Sequence, residues 1–413
     1  MSTKDTSKYA KLGVDSDKGN VRASFKGIIE NDFPGSFVNI IYDPGSRTTN
    51  NILKYLGLGA FRKVVTQHQD GDGSKMVQRL LHLAVTGENT LGYALDDALA
   101  MNGSDIAASG FVYGPWIVTQ LINSSLAPEF KQLLMDSLSA RWLELKEFYE
   151  AEGFELHFMG GETADLPDQV RSSTFDMTLT AYAKAGHVIK GNVCLGDKIW
   201  GFASDGRAIW ENADNSGIMS NGLTLLRSCL MSAIYDKDFP DLKRAGEFYV
   251  GRYKVDDQPE PLGMSVSEAL MSPTRQWPIL INRIFEKISA RGCRVADLIH
   301  GISINTGGGA TKIKHVGNGG IMYMKNMPPA PAIFRLIQSE SGESWDNMYK
   351  TFNCGVGIDI IAPDDPLLQE VLEEVSAETM VPVYELGVCA VGASSQDKNS
   401  VVLNTSYGTF DYQ

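Results

Sequence analysis

Cysteine is scarce in this chain: five residues (Cys194, Cys229, Cys293, Cys354 and Cys389) occur among 413. Their number is odd and no Cys-x-x-Cys pair is present, so neither a disulfide framework nor a zinc knuckle is expected. Long apolar runs are lacking too. No stretch of about 18 apolar residues is available to span a bilayer, and the opening Met-Ser-Thr-Lys-Asp has no apolar signal core. A cytoplasmic, reduced chain with no membrane partner is the expectation. Basic residues are in deficit, with 37 Lys plus Arg against 50 Asp plus Glu and a formal net charge of -13. Without a dense Lys/Arg run, nucleic acid is not an expected partner. An acidic protein that binds anions must use local devices instead: a metal ion, a single lysine, or backbone N–H groups. No serine nucleophile elbow appears. His68, His82, His157, His187, His300 and His315 show no metal-ligand spacing and read as core or surface residues.

What is present is an ordinary globular composition, 43% hydrophobic and 21% charged, in a length that suits two domains. Helical and strand signals alternate, which predicts an α+β protein with sheets covered by helices on one side. A helix is predicted over about 129–150, where Phe130, Leu133, Leu134, Leu138, Trp142, Leu145 and Tyr149 recur at three- and four-residue steps after Pro128. Leu156–Met159 then reads as a strand ending at Gly160-Gly161-Glu162. Phe175, Met177, Leu179, Ala181 and Ala183 alternate with polar residues, and Val356, Ile358 and Ile360 alternate with Gly357 and Asp359; both segments predict half-buried strands. Helices are expected over 222–234, 277–291 and 366–377. The glycine-rich stretch 186–195 predicts a linker between domains at 1–185 and 196–413. Segments 210–217 and 253–263 read as surface insertions.

Five constellations have residue types suited to chemistry. In Asp70-Gly71-Asp72-Gly73-Ser74-Lys75, glycines let the backbone approach a ligand, the acids suit a hard cation, and the lysine offers a mobile charge to phosphate. Asp96-Asp97 pairs two carboxylates that repel unless a cation or water intervenes; a solvated helix N-terminus is an equally good reading. Gly160-Gly161-Glu162-Thr163 presents an acid after two glycines, in a cleft or simply in water. Ser220-Asn221-Gly222 precedes a helix that Ser or Asn would cap, leaving N–H groups for an anion. Thr306-Gly307-Gly308-Gly309 permits close backbone contact with phosphate, or is a flexible linker. A sixth segment, Thr351-Phe352-Asn353-Cys354-Gly355-Val356-Gly357, enters a strand, and Cys354 reads as a buried spectator.

Taken in order, together with Tyr9, Gly13-Val14-Asp15, Gly19-Asn20 and Gly196-Asp197, these segments resemble the phosphoribosylformylglycinamidine cyclo-ligase family along nearly the whole chain. The resemblance implies two α+β domains, with an N-terminal mixed sheet that pairs with a second subunit's into a dimeric barrel and a C-terminal sheet covered by helices. It also implies ATP-dependent closure of formylglycinamidine ribonucleotide to aminoimidazole ribonucleotide in purine biosynthesis, by way of a phosphoryl-imidate. Asp70, Asp97 and Glu162 are then expected to hold Mg²⁺, and Lys75 to meet an ATP phosphate, with Gly71, Gly73, Ser74, Gly160, Gly161 and Thr163 shaping the nucleotide site. Asn221, with Ser220 and with Gly307, Gly308 and Gly309, is expected to receive substrate or nucleotide phosphate. This sequence departs from the family at Asp72 and Ser74, where Val and Thr are usual, and at Asp96, where Asn is usual. Met219 and Ile304 stand where histidines are common. Those departures motivate two alternatives: a related phosphotransferase acting on another acceptor, or a non-catalytic nucleotide-binding relative.

Overall fold

The computed structural model describes Lys8 and residues 28–56, 62–243, 248–392 and 398–413. Tyr9, Gly13-Val14-Asp15 and Gly19-Asn20 lie outside the described residues. The N-terminal sheet comprises β1 (Ile40–Tyr42), β2 (Lys63–Gly71), β3 (Pro115–Ser124), β4 (Glu155–Asp165) and β5 (Ser173–Lys184). Its order is β1-β2-β5-β3-β4, antiparallel except for the β3–β4 pair. The second sheet holds β6 (Lys198–Ala203), β9 (Gly301–Ile304), β10 (Ile321–Asn326), β11 (Val356–Ala362), β12 (Val383–Val391), β13 (Ser400–Thr405) and β14 (Gly408–Tyr412), in the order β14-β13-β10-β12-β6-β11-β9. Two short strands, β7 (Asp205–Gly206) and β8 (Asn215–Ser216), pair outside it. The fold is therefore α+β with mixed sheets.

Alternation dictates the N-terminal sheet. Phe175, Met177, Leu179, Ala181 and Ala183 of β5 are buried, while the intervening residues are half exposed. Helix α1 (Pro44–Tyr55) runs between β1 and β2, and the buried face packs on α2 (Lys75–Thr86), α3 (Ala94–Ala107) and α4 (Pro128–Ala151). Helix α3 is buried along its whole length. Its small residues allow this: a Cβ at Gly103 would come within 2.6 Å of the Trp116 ring. Helix α4 buries Leu134, Leu138, Trp142, Leu145 and Tyr149, as the spacing predicts, although Phe130 is exposed. It ends ahead of Gly153, whose φ of 86° is open to glycine.

Four expectations change. The helix expected over 222–234 ends at Leu230, where Met231 turns extended and bridges to Tyr253. Strand β4 does not stop at the glycines but continues to Asp165. Its register shifts opposite Val118–Gln120, and a Cβ at Gly161 would lie 2.0 Å from the Gln120 carbonyl oxygen, so this glycine makes a bulge possible. Strand β11 is buried on both faces, not one. Segment 210–217 is only partly a surface insertion, because Asn215–Gly217 are buried and Arg275 grips Glu211 with two 2.9 Å contacts. The helices after the first sheet include α5 (Leu223–Leu230), α6 (Val266–Met271), α7 (Trp277–Ala290) and α8 (Pro366–Thr379). One hydrophobic cluster joins Trp116, Leu179 and Leu99 to Trp277, Phe202 and Ile360, so the core runs between the two sheets.

Candidate active site

Strand β2 delivers Asp70-Gly71 to the end of the N-terminal sheet, and the chain turns at once into α2. Gly73, at φ 64°, makes the turn, and a Cβ there would sit 3.0 Å from the Ser220 carbonyl oxygen. Gly71 is equally constrained, since a Cβ would meet Asp176 Oδ1 at 2.6 Å. Ser74 Oγ lies 3.4 Å from Thr224 Oγ1. The Asp70–Lys75 corner therefore sits on the Ser220–Gly222 loop. That loop touches the next one: Asn221 Nδ2 donates to Thr351 O at 2.5 Å, and a Cβ at Gly222 would strike the Phe352 ring at 2.1 Å. Gly309 closes against Phe352 as well, where a Cβ would come within 2.5 Å of backbone. Four segments far apart in sequence thus meet at one place.

Neither Ser220 nor Asn221 caps α5 with its side chain. Gly222, in a left-handed conformation, is the N-cap residue. Ser220 Oγ instead donates to Asp97 Oδ1 at 3.1 Å. Asp97 is the hub of the cluster. Its Oδ1 also accepts from Lys75 Nζ (2.7 Å), Thr274 N (2.8 Å) and Thr274 Oγ1 (2.7 Å), and its Oδ2 accepts from Arg79 Nη2 (2.6 Å). Burial works against its charge, yet Lys75 and Arg79 hold its carboxyl below the usual range. With five donors, two of them cationic, the carboxylate is saturated and has no lone pair left for a metal ion. Lys75 is fully buried and donates also to Ser272 O at 2.8 Å, so it is a fixed cation, not a mobile one. Burial lowers its pKa against the pull of Asp97.

Asp96 turns the other way and takes a two-pronged contact from Arg141, at 2.8 and 2.6 Å. The pair is buried and matched to separate cations, not solvated. Asp72 contrasts with both. Its two oxygens are buried and have no hydrogen-bond partner among the described residues. Burial and then Asp97 push its carboxyl well above the usual range, despite Arg79 and Lys75 nearby. Asp70 lies on the inner face near His68, Asp105 and Lys312; Asn102 Nδ2 donates to its carbonyl at 2.9 Å, and burial raises its carboxyl. Asp105 of α3 pairs with Lys312 at 3.3 Å and His68 at 3.4 Å, and Lys312 Nζ donates to Thr306 Oγ1 at 2.7 Å. The glycine loop 306–309 is thereby fastened to α3, which is not how a flexible linker behaves.

Glu162 stands apart. The register aligns Gly71, Asp176, Leu121 and Glu162 across β2, β5, β3 and β4. Three strand spacings separate the ends of that row, about 14 Å, and Glu162 is on the face opposite Asp70. It is exposed, as are Gly161 and Thr163. Sequence reasoning missed Arg79, Thr274, Asp105 and Lys312. For Arg79 a signal existed: it lies four residues after Lys75 on one helix face, so the two cations are neighbours. Met219 and Ile304 are buried in the core.

No protein-family model matches the chain. Among curated proteins, it is 30% identical over 369 residues to the phosphoribosylformylglycinamidine cyclo-ligase of Thermococcus gammatolerans, covering 86% of this chain and 88% of that one. It is 25% identical over 380 residues to the enzyme of the same name from Brevibacillus brevis, covering 90% and 93%. Among solved structures, phosphoribosylformylglycinamidine synthase II from Thermotoga maritima aligns with a TM-score of 0.50 at 7% identity, over 97% of this chain and 49% of that one, a likeness of fold alone. The chain belongs to the phosphoribosylformylglycinamidine cyclo-ligase family.

Proposed function

We infer that the protein is an ATP-dependent ligase that closes formylglycinamidine ribonucleotide to aminoimidazole ribonucleotide in purine biosynthesis. The observation that carries this reading is the likeness to cyclo-ligases over nearly the full length of both chains. The convergent loops supply what the chemistry requires. An amide oxygen leaves poorly until it is phosphorylated, and phosphoryl transfer asks for alignment and charge neutralisation more than for a protein nucleophile. Lys75, held by Asp97 and Ser272, offers a positive charge whose position is fixed before ligand arrives. Gly307–Gly309, Ser220 and Asn221 border the same corner and would receive phosphate oxygens. Segments 1–185 and 196–413 form the two domains of this reading, with the site between them.

The residues fit a divalent cation such as Mg²⁺. Asp72 offers two buried oxygens without partners among the described residues, and Asp70 lies two residues away. Asp70 and Asp72 would hold the ion, which when bound offsets the charge of the ATP phosphates. Asp97 fixes Lys75 and Arg79 in place. Glu162 joins such a site from a second copy of the chain. Support for a homodimer comes from the N-terminal sheet: among the described strands β4 is its edge, with Phe158 and Met159 exposed at 42% and 68%, and the outer face presents half-exposed Ile117, Leu121 and Tyr182. Two such faces would close a barrel.

Supplied with ATP, Mg²⁺ and formylglycinamidine ribonucleotide, the purified protein is expected to release one ADP per aminoimidazole product. ADP formed only with another small acceptor would select a related phosphotransferase. That second reading is favoured by one observation, the burial of apolar Met219 and Ile304 where a proton-transferring histidine is common. Glu162→Gln is expected to lower turnover at least tenfold with stability unchanged; a normal rate would remove Glu162 from the site.

A further inference from the structure

Far from these loops, at the opposite end of β6, three side chains of different chemistry meet. Cys194 Sγ, a carboxylate oxygen of Asp197 and a ring nitrogen of His300 lie within 4.8 Å of one another. Ala203, at the other end of β6, gives its carbonyl to Arg275 beside Thr274, so about 20 Å of strand separates this group from Asp97. We propose that Cys194, Asp197 and His300 form a binding site for a thiophilic divalent cation, zinc above all.

The local chain is built as a ligand turn. Cys194 and Asp197 are three residues apart, the interval at which metal knuckles place two ligands. The turn is closed by Asp197 N donating to Cys194 O at 3.2 Å, with Gly196 at φ 89° between them. Strand β12 anchors it on both sides: Gly196 N donates to Cys389 O and Cys389 N to Asp197 O, each at 2.8 Å. His300 comes from a separate element, held by its N–H to Ile361 O at 2.9 Å. Asp197 Oδ2 already accepts from Cys194 N and faces His300 Nδ1, each at 2.7 Å, so the carboxylate orients both other ligands.

A thiolate with an imidazole and one carboxylate suits zinc and disfavours magnesium or calcium, which prefer all-oxygen sites. Binding releases the thiol proton of Cys194 to solvent and uses a ring-nitrogen lone pair of neutral His300, and the two anions cancel the dication. Three protein ligands leave one position open. His300 also lines a cavity of about 110 Å³ with Lys190, Asn192, Arg294 and Asp297, large enough for water or a small anion. Cys194 is exposed, which provides entry. The spacing rules applied to the sequence look for repeated Cys or His and pass over this set, because its members are of three types and the histidine lies 103 residues from the aspartate.

The test is a titration of the full chain, reduced and stripped of metal, with Zn²⁺ against a chromophoric indicator and with Co²⁺ followed by its thiolate charge-transfer absorption. One ion per chain is expected, with the cobalt band present in the native chain and in Cys389→Ser, absent in Cys194→Ser, and affinity reduced at least tenfold in His300→Gln. Cys194→Ser changes an exposed atom and keeps the fold, which the circular dichroism spectrum checks. Absence of stoichiometric binding, or a band that survives in Cys194→Ser, overturns the proposal. None of these readouts depends on ligase activity, so failure here leaves the proposed reaction untouched.

Discussion

The two sheets are built to different rules. The N-terminal sheet hides one face under α2 to α4 and leaves the other half exposed, with β4 at its edge among the described strands. In the second sheet β11 is buried on both faces and carries a charge inside: Asp359 meets Lys325 at 2.7 Å with both side chains inaccessible. The contrast teaches where each region has freedom. A half-exposed face accepts new contacts at little cost, whereas a strand enclosed on both sides accepts none, and its polar residues must already be matched.

That contrast is sharpened, or broken, by substitution. Ile360→Asp, in the doubly covered strand, is expected to remove about 5 kcal/mol or more and prevent folding; soluble, cooperative protein would refute the enclosure. Asp97→Ala leaves Lys75 and Arg79 buried without their anion and is expected to cost about 3–5 kcal/mol in urea unfolding. Asp72→Asn should instead stabilise the metal-free chain by about 1–3 kcal/mol at neutral pH. Because the folded chain raises the Asp72 pKa, the native aspartate costs stability above that raised value and ceases to as it protonates. The gain from asparagine should therefore shrink as pH falls, and Mg²⁺ should stabilise the native chain more than the variant. Smallest in its effect on the fold, Leu121→Arg on the open face should alter monomer stability by no more than about 0.5 kcal/mol. It should nonetheless halve the mass seen by light scattering; an unchanged mass would show that this face does not pair subunits.

The legible parts of the chain were those where periodicity and burial agree. The alternation of β5 and the long stripe of α4 mark both elements to within a residue or two. Strand β11 alternates in the same way and yet is buried throughout, because Gly357 packs under Trp277, where a Cβ would come within 1.9 Å, and Asp359 is neutralised from β10. Pattern alone does not reveal a glycine that makes room or a lysine 34 residues away that cancels a charge. The site divides similarly. Glycines marked the loops that converge, but Thr274 and Ser272 reach Asp97 and Lys75 through polar atoms common to any loop. The bulge at Gly161 was hidden by its likeness to a ligand loop.

The grip on Asp97 and Lys75 by Ser220, Ser272 and Thr274 bears on modularity. An N-terminal half expressed alone would keep a carboxylate and an ammonium group stripped of the donors and acceptor that complete them, along with one side of a shared core. Such a fragment should be recovered only when the other half is co-expressed. A chimaera between relatives should likewise work only if the residues on both sides of this seam are inherited together.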